Sequence, residues 1–230
     1  MRVMVFDTET TDLPERNCSI YEHDKYPYIL QLSYVIYDTD DNRICVIKDD
    51  YVKIDNSVEI SPRSQEIHHI TREKCLAEGK PISQLMMEFN QYLKTVEVVV
   101  GHNISFDKKM IFVECIRNNV QQQFTWFRGN MKIQRPEYCT MKNTTDFCGI
   151  EKPKRQKSNT IDSVDNNVIK KHYKFPKLIE LHYKLFEKDI NPELLHNSKM
   201  DVLITLKCYM KYVHSIDLSD HPIIQKMIIH

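Results

Sequence analysis

Two β-patterned segments, Tyr28 to Tyr37 and Arg43 to Ile54, are separated only by the turn cluster Asp38-Thr39-Asp40-Asp41-Asn42, and a link that short admits only an antiparallel hairpin. A third candidate strand precedes them. Arg2 to Asp7 is apolar and β-rich and then breaks into a Thr-rich stretch ending in Asp12-Leu13-Pro14, which places Asp7 at the carboxyl end of a buried strand. From Pro81 the period becomes helical. Ile82, Leu85, Met86, Phe89, Tyr92 and Leu93 form one apolar face, with Pro81 suited to the first turn and an end near Lys94. Val96 to Gly101 is β-branched and too short for a helix, so it reads as a buried strand. Ser105 offers an N-cap for a helix carrying Met110, Val113 and Ile116, and two further helices are expected at Phe175 to Phe186 and Ser198 to Val213. The apolar end Ile223 to Ile229 is expected to pack back as a short helix. A strand meander followed by alternating helices and strand predicts an α/β fold around a mixed sheet.

Composition narrows the functional classes. At 230 residues, with 41% hydrophobic and 28% charged residues, the chain is close to the globular average of about 45–50% and 25%, and one domain over 1–230 is expected. Lys plus Arg equal Asp plus Glu at 32 each, so no global positive field announces a nucleic-acid binder. Four glycines, with no GxGxxG or GxxxxGK[ST], argue against nucleotide-cofactor and NTPase loops. Seven scattered cysteines without CxxC read as reduced thiols of an intracellular protein. No apolar run approaches a signal peptide or a membrane span, so the cytoplasm or nucleus is the expected location. The polar stretch Glu151 to Asn167, with Lys152, Lys154, Arg155 and Lys157, reads as an exposed basic loop within an insertion at about 149–173, and Lys154 to Lys157 fits a minimal nuclear-import pattern.

Three blocks carry the chemistry. Asp7 and Glu9 are two apart at a strand end, and the period of two puts both carboxylates on one side. Gly101 to Asp107 follows a buried strand and opens a helix, leaving Asp107 in the first turn, where an acid also complements the helix dipole, and His102 as a packed strand-end residue. His196 to Asp201 places a loop His just before an Asp at the start of the last long helix. Each acid alone has an ordinary explanation. Four hard oxygen ligands together, with no thiolate, favour Mg²⁺ or Mn²⁺ over zinc.

These blocks, in this order, resemble the three motifs of the DEDDh 3′ to 5′ exonuclease family: FDTET, HNISFD and HNSKMD, the last with its H-x4-D spacing. Ile67-His68-His69-Ile70-Thr71 is similar to the family's I-H-G-I-T segment, and Lys174-Phe175-Pro176-Lys177-Leu178 with Leu181 to its K-x-P-x-L-x-x-L run. Departures are Asp12 and His69, both in place of Gly, and Ser198 in place of Ala. The resemblance implies an RNase H-like fold with a mixed sheet of about five strands, flanked by helices, and metal-dependent removal of nucleotides from 3′ ends as 5′-monophosphates. It implies two Mg²⁺ or Mn²⁺ ions, with Asp7 bridging them, Glu9 and Asp201 on the nucleophile side, Asp107 on the leaving-group side and His196 as general base. Activity is then expected to rise from acid toward neutral pH. Thr8, Thr10, Leu13, Ile67, His68, Asn103 and Phe106 are the expected substrate-binding residues, with Leu13, Ile67 and Phe106 packing on terminal bases. Lys108, Lys109, Lys199 and the loop Lys152 to Lys157 are candidates for a basic rim.

Single-stranded or frayed 3′-terminal DNA is the expected substrate, and a DNA polymerase or a replication or repair protein a conceivable partner. Two alternatives stay open at this point: a 3′ to 5′ exoribonuclease with the same site, and a non-catalytic nucleic-acid-binding module on the same fold. A proofreading subunit and a free-standing repair enzyme read alike, and the oligomeric state is not legible.

Overall fold

The computed structural model describes residues 1–152, 173–191 and 197–228. Five strands form the main sheet: β1 (Arg2–Thr10), β2 (Ile29–Asp38), β3 (Arg43–Tyr51), β4 (Val98–Gly101) and β7 (Glu137–Cys139), in the order β3-β2-β1-β4-β7. β1, β2 and β3 are antiparallel neighbours, whereas β4 runs parallel to β1 and β7 parallel to β4. The expected mixed five-stranded sheet with its meander is therefore the fold observed. Between β4 and β7 a separate two-stranded ribbon, β5 (Thr125–Arg128) and β6 (Met131–Gln134), pairs only with itself among the described residues.

The helices are α1 (Pro62–His68), α2 (Arg72–Glu78), α3 (Ile82–Leu93), α4 (Ile104–Arg117), the single turns α5 (Thr140–Asn143) and α6 (Thr145–Cys148), α7 (Leu178–Phe186), α8 (Ser198–His214) and α9 (Pro222–Ile228). Strand alternation sorts the core into two layers. Met4 and Phe6 of β1, with Leu30, Leu32, Tyr34 and Ile36 of β2 and Val99 of β4, pack against α3 and α4. Val3 and Val5, with Val35, Tyr37 and Val100, pack against Val202, Leu206, Tyr209 and Met210 of α8. β2 is buried along its whole length because both layers cover it. α9 packs back through Ile224, which is buried in the second layer, while Ile229 lies outside the described residues.

Several local expectations change. β1 does not stop at Asp7; it continues through Glu9 to Thr10, because Asp7, Thr8 and Glu9 keep their pairing with Ser33, Leu32 and Gln31 of β2 before the register shifts at Glu9/Thr10. The N-cap of α4 is Asn103, at φ 71°, and Ser105 lies inside the helix with its hydroxyl 3.3 Å from the Asn103 side-chain oxygen. α1, α2, β5 to β7 and the turns α5 and α6 carry too little periodicity to stand out in the sequence, since elements of seven residues or fewer hold at most two helical turns. Four cysteines are buried and three half-buried, all as free thiols. No described helix is long and apolar enough to cross a membrane. The basic stretch 153–172, with Lys154 to Lys157, lies outside the described residues.

Candidate active site

The parity that builds the two layers also distributes the acids. Asp7 and Glu9 share the odd positions of β1 with Val3 and Val5, and so face α8. Asp201 stands in the first turn of α8. One carboxylate oxygen from each of Asp7, Glu9 and Asp201 lies within 4.8 Å of the other two, and all three side chains are half-buried. Thr8 points the opposite way, toward α4. Its backbone N–H and its hydroxyl donate to Asp107 Oδ1 at 3.1 and 2.9 Å, and Asp107 is buried.

Electrostatics make this arrangement costly without a cation. Burial first, and then repulsion from Asp107, Asp201 and Glu9, holds the Asp7 carboxyl well above the usual range. Burial, Asp201 and Asp107 push Glu9 up to about 9, and burial pushes Asp107 up to about 7 against the lowering effect of the two Thr8 hydrogen bonds. A compact, all-oxygen donor set whose members resist ionisation for want of positive charge fits a hard divalent ion. Replacing the Thr8 hydroxyl with a methyl in Thr8→Val removes one of Asp107's two anchors; an apparent divalent-ion affinity about tenfold weaker is expected in a titration of activity against metal concentration.

A buried polar chain fastens the acidic end of α8 to the sheet. The Ser198 hydroxyl donates to the Asp7 backbone carbonyl at 2.7 Å, and its N–H donates to Gln31 Oε1 at 3.4 Å. Gln31 Nε2 and the Ser33 hydroxyl both donate to Asp49 Oδ1, at 2.7 and 2.8 Å. Ser198, where the family resembled has Ala, thus gains a hydrogen bond. The sequence reading missed Gln31, Ser33 and Asp49, although a signal existed: two polar residues spaced by two inside an apolar strand mark a polar patch on one face.

The mouth is shaped by backbone ties. Ser61 N–H donates to the Thr11 carbonyl at 2.9 Å, and His68 Nε2 sits 3.2 Å from the Thr10 carbonyl while its Nδ1 accepts from Ile70 N–H at 3.0 Å. His68 is buried, so it locks α1 against the end of β1, and the exposed side chain beside it is Ile67, at 42%. Leu13 is 67% exposed and Phe106 half-buried on the first core layer. The Thr10 hydroxyl donates to the Asp12 carbonyl at 2.7 Å. Of the two glycine replacements, His69 takes the left-handed conformation, at φ 58°, as the C-cap of α1, whereas Asp12 is not among the residues with positive φ. The expected rim is partly neutralised: Lys108 pairs with Glu137, and Lys199 lies 3.9 Å from Asp49, while Lys109 and Lys152 are exposed. His196 lies outside the described residues.

His102, at the end of β4, lies 3.0 Å from both the Thr140 hydroxyl and the Pro176 carbonyl. Burial pushes its pKa down to about 4. The unfolded chain takes a proton near pH 6.5 and the folded ring does not until about 4, so His102 contributes stability above 6.5 that is lost as pH falls through that window, by up to about 3 kcal/mol. Denaturant midpoints at pH 7 and 4.5 are expected to fall further for the native chain than for His102→Gln.

The RNase T family model, described as Exonuclease, matches residues 4–157, which include Asp7, Glu9 and Asp107 but not Asp201. No curated protein sequence matches the chain. Among solved structures, E. coli Exonuclease I in complex with a dA16 oligonucleotide is 16% identical, with a TM-score of 0.61, over 91% of this chain and 40% of that one. The same enzyme with a 5cy-dT13 oligonucleotide gives 16%, 0.64, 93% and 41%. A zinc-bound form of the E. coli enzyme with single-stranded DNA gives 16%, 0.62, 91% and 40%. This chain thus spans about 40% of the length of those structures.

Proposed function

The chain belongs to the RNase T exonuclease family, and from that membership we propose that residues 1–230 act as one domain removing nucleotides from the 3′ end of single-stranded DNA as 5′-monophosphates. The observation that carries the reading is the meeting of Asp7, Glu9 and Asp201 within 4.8 Å. DNA is favoured over RNA because the similar structures hold deoxyoligonucleotides.

Asp7, Glu9 and Asp201 would hold Mg²⁺ or Mn²⁺, with Asp107 beside them serving a second ion. Such ions supply charge neutralisation at the scissile phosphate and a nucleophilic water near neutral pH. Thr8 keeps Asp107 aimed at the site, and the Ser198–Gln31–Asp49 chain keeps α8 from drawing Asp201 away as the three acids repel. Leu13 and Ile67 offer exposed apolar surface, on segments tied to the end of β1, against which a terminal base packs. His196, two residues before the first residue of α8, is the general base.

Incubation of 5′-labelled single-stranded DNA with Mg²⁺ or Mn²⁺ is expected to yield a ladder shortening from the 3′ end; a chain that shortens no strand with either ion overturns the reading. A parallel RNA arm decides the sugar preference. His196→Ala is expected to lower kcat about 100-fold at saturating metal and substrate. An unchanged rate would remove it from the mechanism.

A further inference from the structure

We propose that the β5–β6 ribbon is a second binding surface for the single-stranded nucleic acid whose 3′ end occupies the acidic site, contacting the strand upstream of that end. This rests on the proposed function.

The ribbon is built unlike the rest of a neutral protein. No acid stands between Glu114 and Glu137, while Arg117, Arg128, Lys132 and Arg135 do. The cross-strand register pairs Phe127 with Lys132 and Arg128 with Met131. Phe127 is 70% and Met131 66% exposed, and Arg128 and Lys132 are exposed beside them. One face of the ribbon thus sets an exposed ring beside a cation, Phe127 with Lys132, and the other face adds Arg128 beside Met131, which offers a single strand a surface for a base and charge for its phosphates.

The base of the ribbon is rigid. Phe124 is buried against Phe112, with ring centroids 5.5 Å apart, and Arg135 N–H donates to the Phe124 carbonyl at 2.8 Å. The Arg135 guanidinium donates to the Val96 carbonyl and lies 4.9 Å from the Trp126 ring. A fixed stem with an unpacked tip is pre-organised for contact. The Val96 and Arg135 contacts are at the amino-terminal ends of β4 and β7, and Phe124 lies in the layer under α3 and α4, its ring 5.8 Å from that of Phe6. The acids Asp7, Glu9 and Asp201 meet on the opposite face of the sheet, under α8. A strand of a few nucleotides held at the acids therefore falls short of the ribbon, and a longer one reaches it.

Trp126 is the only tryptophan of the chain, so its fluorescence reports on the ribbon directly. Thymidine oligonucleotides of about 6 and about 30 nucleotides, with phosphorothioate 3′ linkages to resist cleavage, are titrated against the protein in Mg²⁺. The long strand is expected to quench Trp126 and to bind about tenfold more tightly than the short one. Phe127→Ala combined with Lys132→Ala should abolish that difference without changing the hydrolysis rate of an unmodified short strand. Arg128→Ala with Lys132→Ala should reduce the slope of log affinity against log salt by about 1.4. Equal affinities for both lengths, an unquenched Trp126, or unchanged long-strand binding in the substituted protein overturns the proposal. So does a fall in molar mass on substitution, seen by light scattering, which would assign the ribbon to a second copy. Failure to hydrolyse even the short unmodified strand would instead count against the nuclease reading, leaving the binding titration to be judged separately.

Discussion

Asp7→Asn is expected to abolish hydrolysis, with a loss of at least about 10³-fold, while making the cation-free protein more stable. The two effects have one origin. Asp7 is held in a ring of like charge by Glu9, Asp107 and Asp201, and burial further disfavours its ionised form. An amide of the same shape removes the repulsion, for a gain on the order of 1–3 kcal/mol near neutral pH. The sign follows from linkage: a carboxyl whose folded pKa is raised stabilises the fold below its unfolded pKa, and that contribution is lost as pH rises toward the folded value. Melting temperatures in EDTA at pH 7.5 should therefore be higher for Asp7→Asn. On adding Mg²⁺ or Mn²⁺ the order should close or reverse, because only the native chain gains stabilisation from the ion. A variant that is less stable than the native chain in EDTA would show that Asp7 serves packing rather than charge.

Gly79→Ala carries the other large effect, on folding. A Cβ at position 79 would lie 2.1 Å from the Cys75 carbonyl oxygen, 2.4 Å from the Lys53 nitrogen and 2.6 Å from the Val52 carbonyl carbon. All three are backbone atoms, and none rotates aside. Gly79 ends α2, its N–H donating to the Cys75 carbonyl, at the point where Lys80 exchanges hydrogen bonds with Lys53 and Tyr51 beyond the edge of β3. Inserting the methyl has to part α2 from that edge, at a cost of more than about 3 kcal/mol. The midpoint of urea unfolding is the measurement, and a midpoint within error of the native chain would contradict the geometry. Gly129 is a contrast within the same protein: it has nothing within 4 Å of its would-be Cβ, and only its positive φ of 61° favours glycine.

The hairpin of β2 and β3 was readable because five turn residues leave the chain one way to return. The helix after Pro81 was readable because twelve residues display three turns of periodicity. The ribbon of β5 and β6 was not, since two strands of four residues expose most of their side chains and leave no alternation to detect. Asn103 as the cap of α4 was equally hidden. Ser105 fits the general preference, but the abrupt exit from β4 demands a left-handed residue at 103, and only the path of the chain reveals that.

By itself the sequence determined which side chains are available and, through the period of two, that Asp7 and Glu9 share a side of their strand. It also determined that four acids without a thiolate suit a hard divalent ion. Which face of the sheet those two acids occupy, and what meets them there, was decided only in three dimensions. α8 covers the odd positions of β1 and α4 the even ones, so Asp201 arrives beside Asp7 and Glu9 while Asp107 is caught by Thr8 from behind. Sequence spacing encodes directions along one strand, whereas the meeting of carboxylates about 190 residues apart depends on two layers of core closing over that strand.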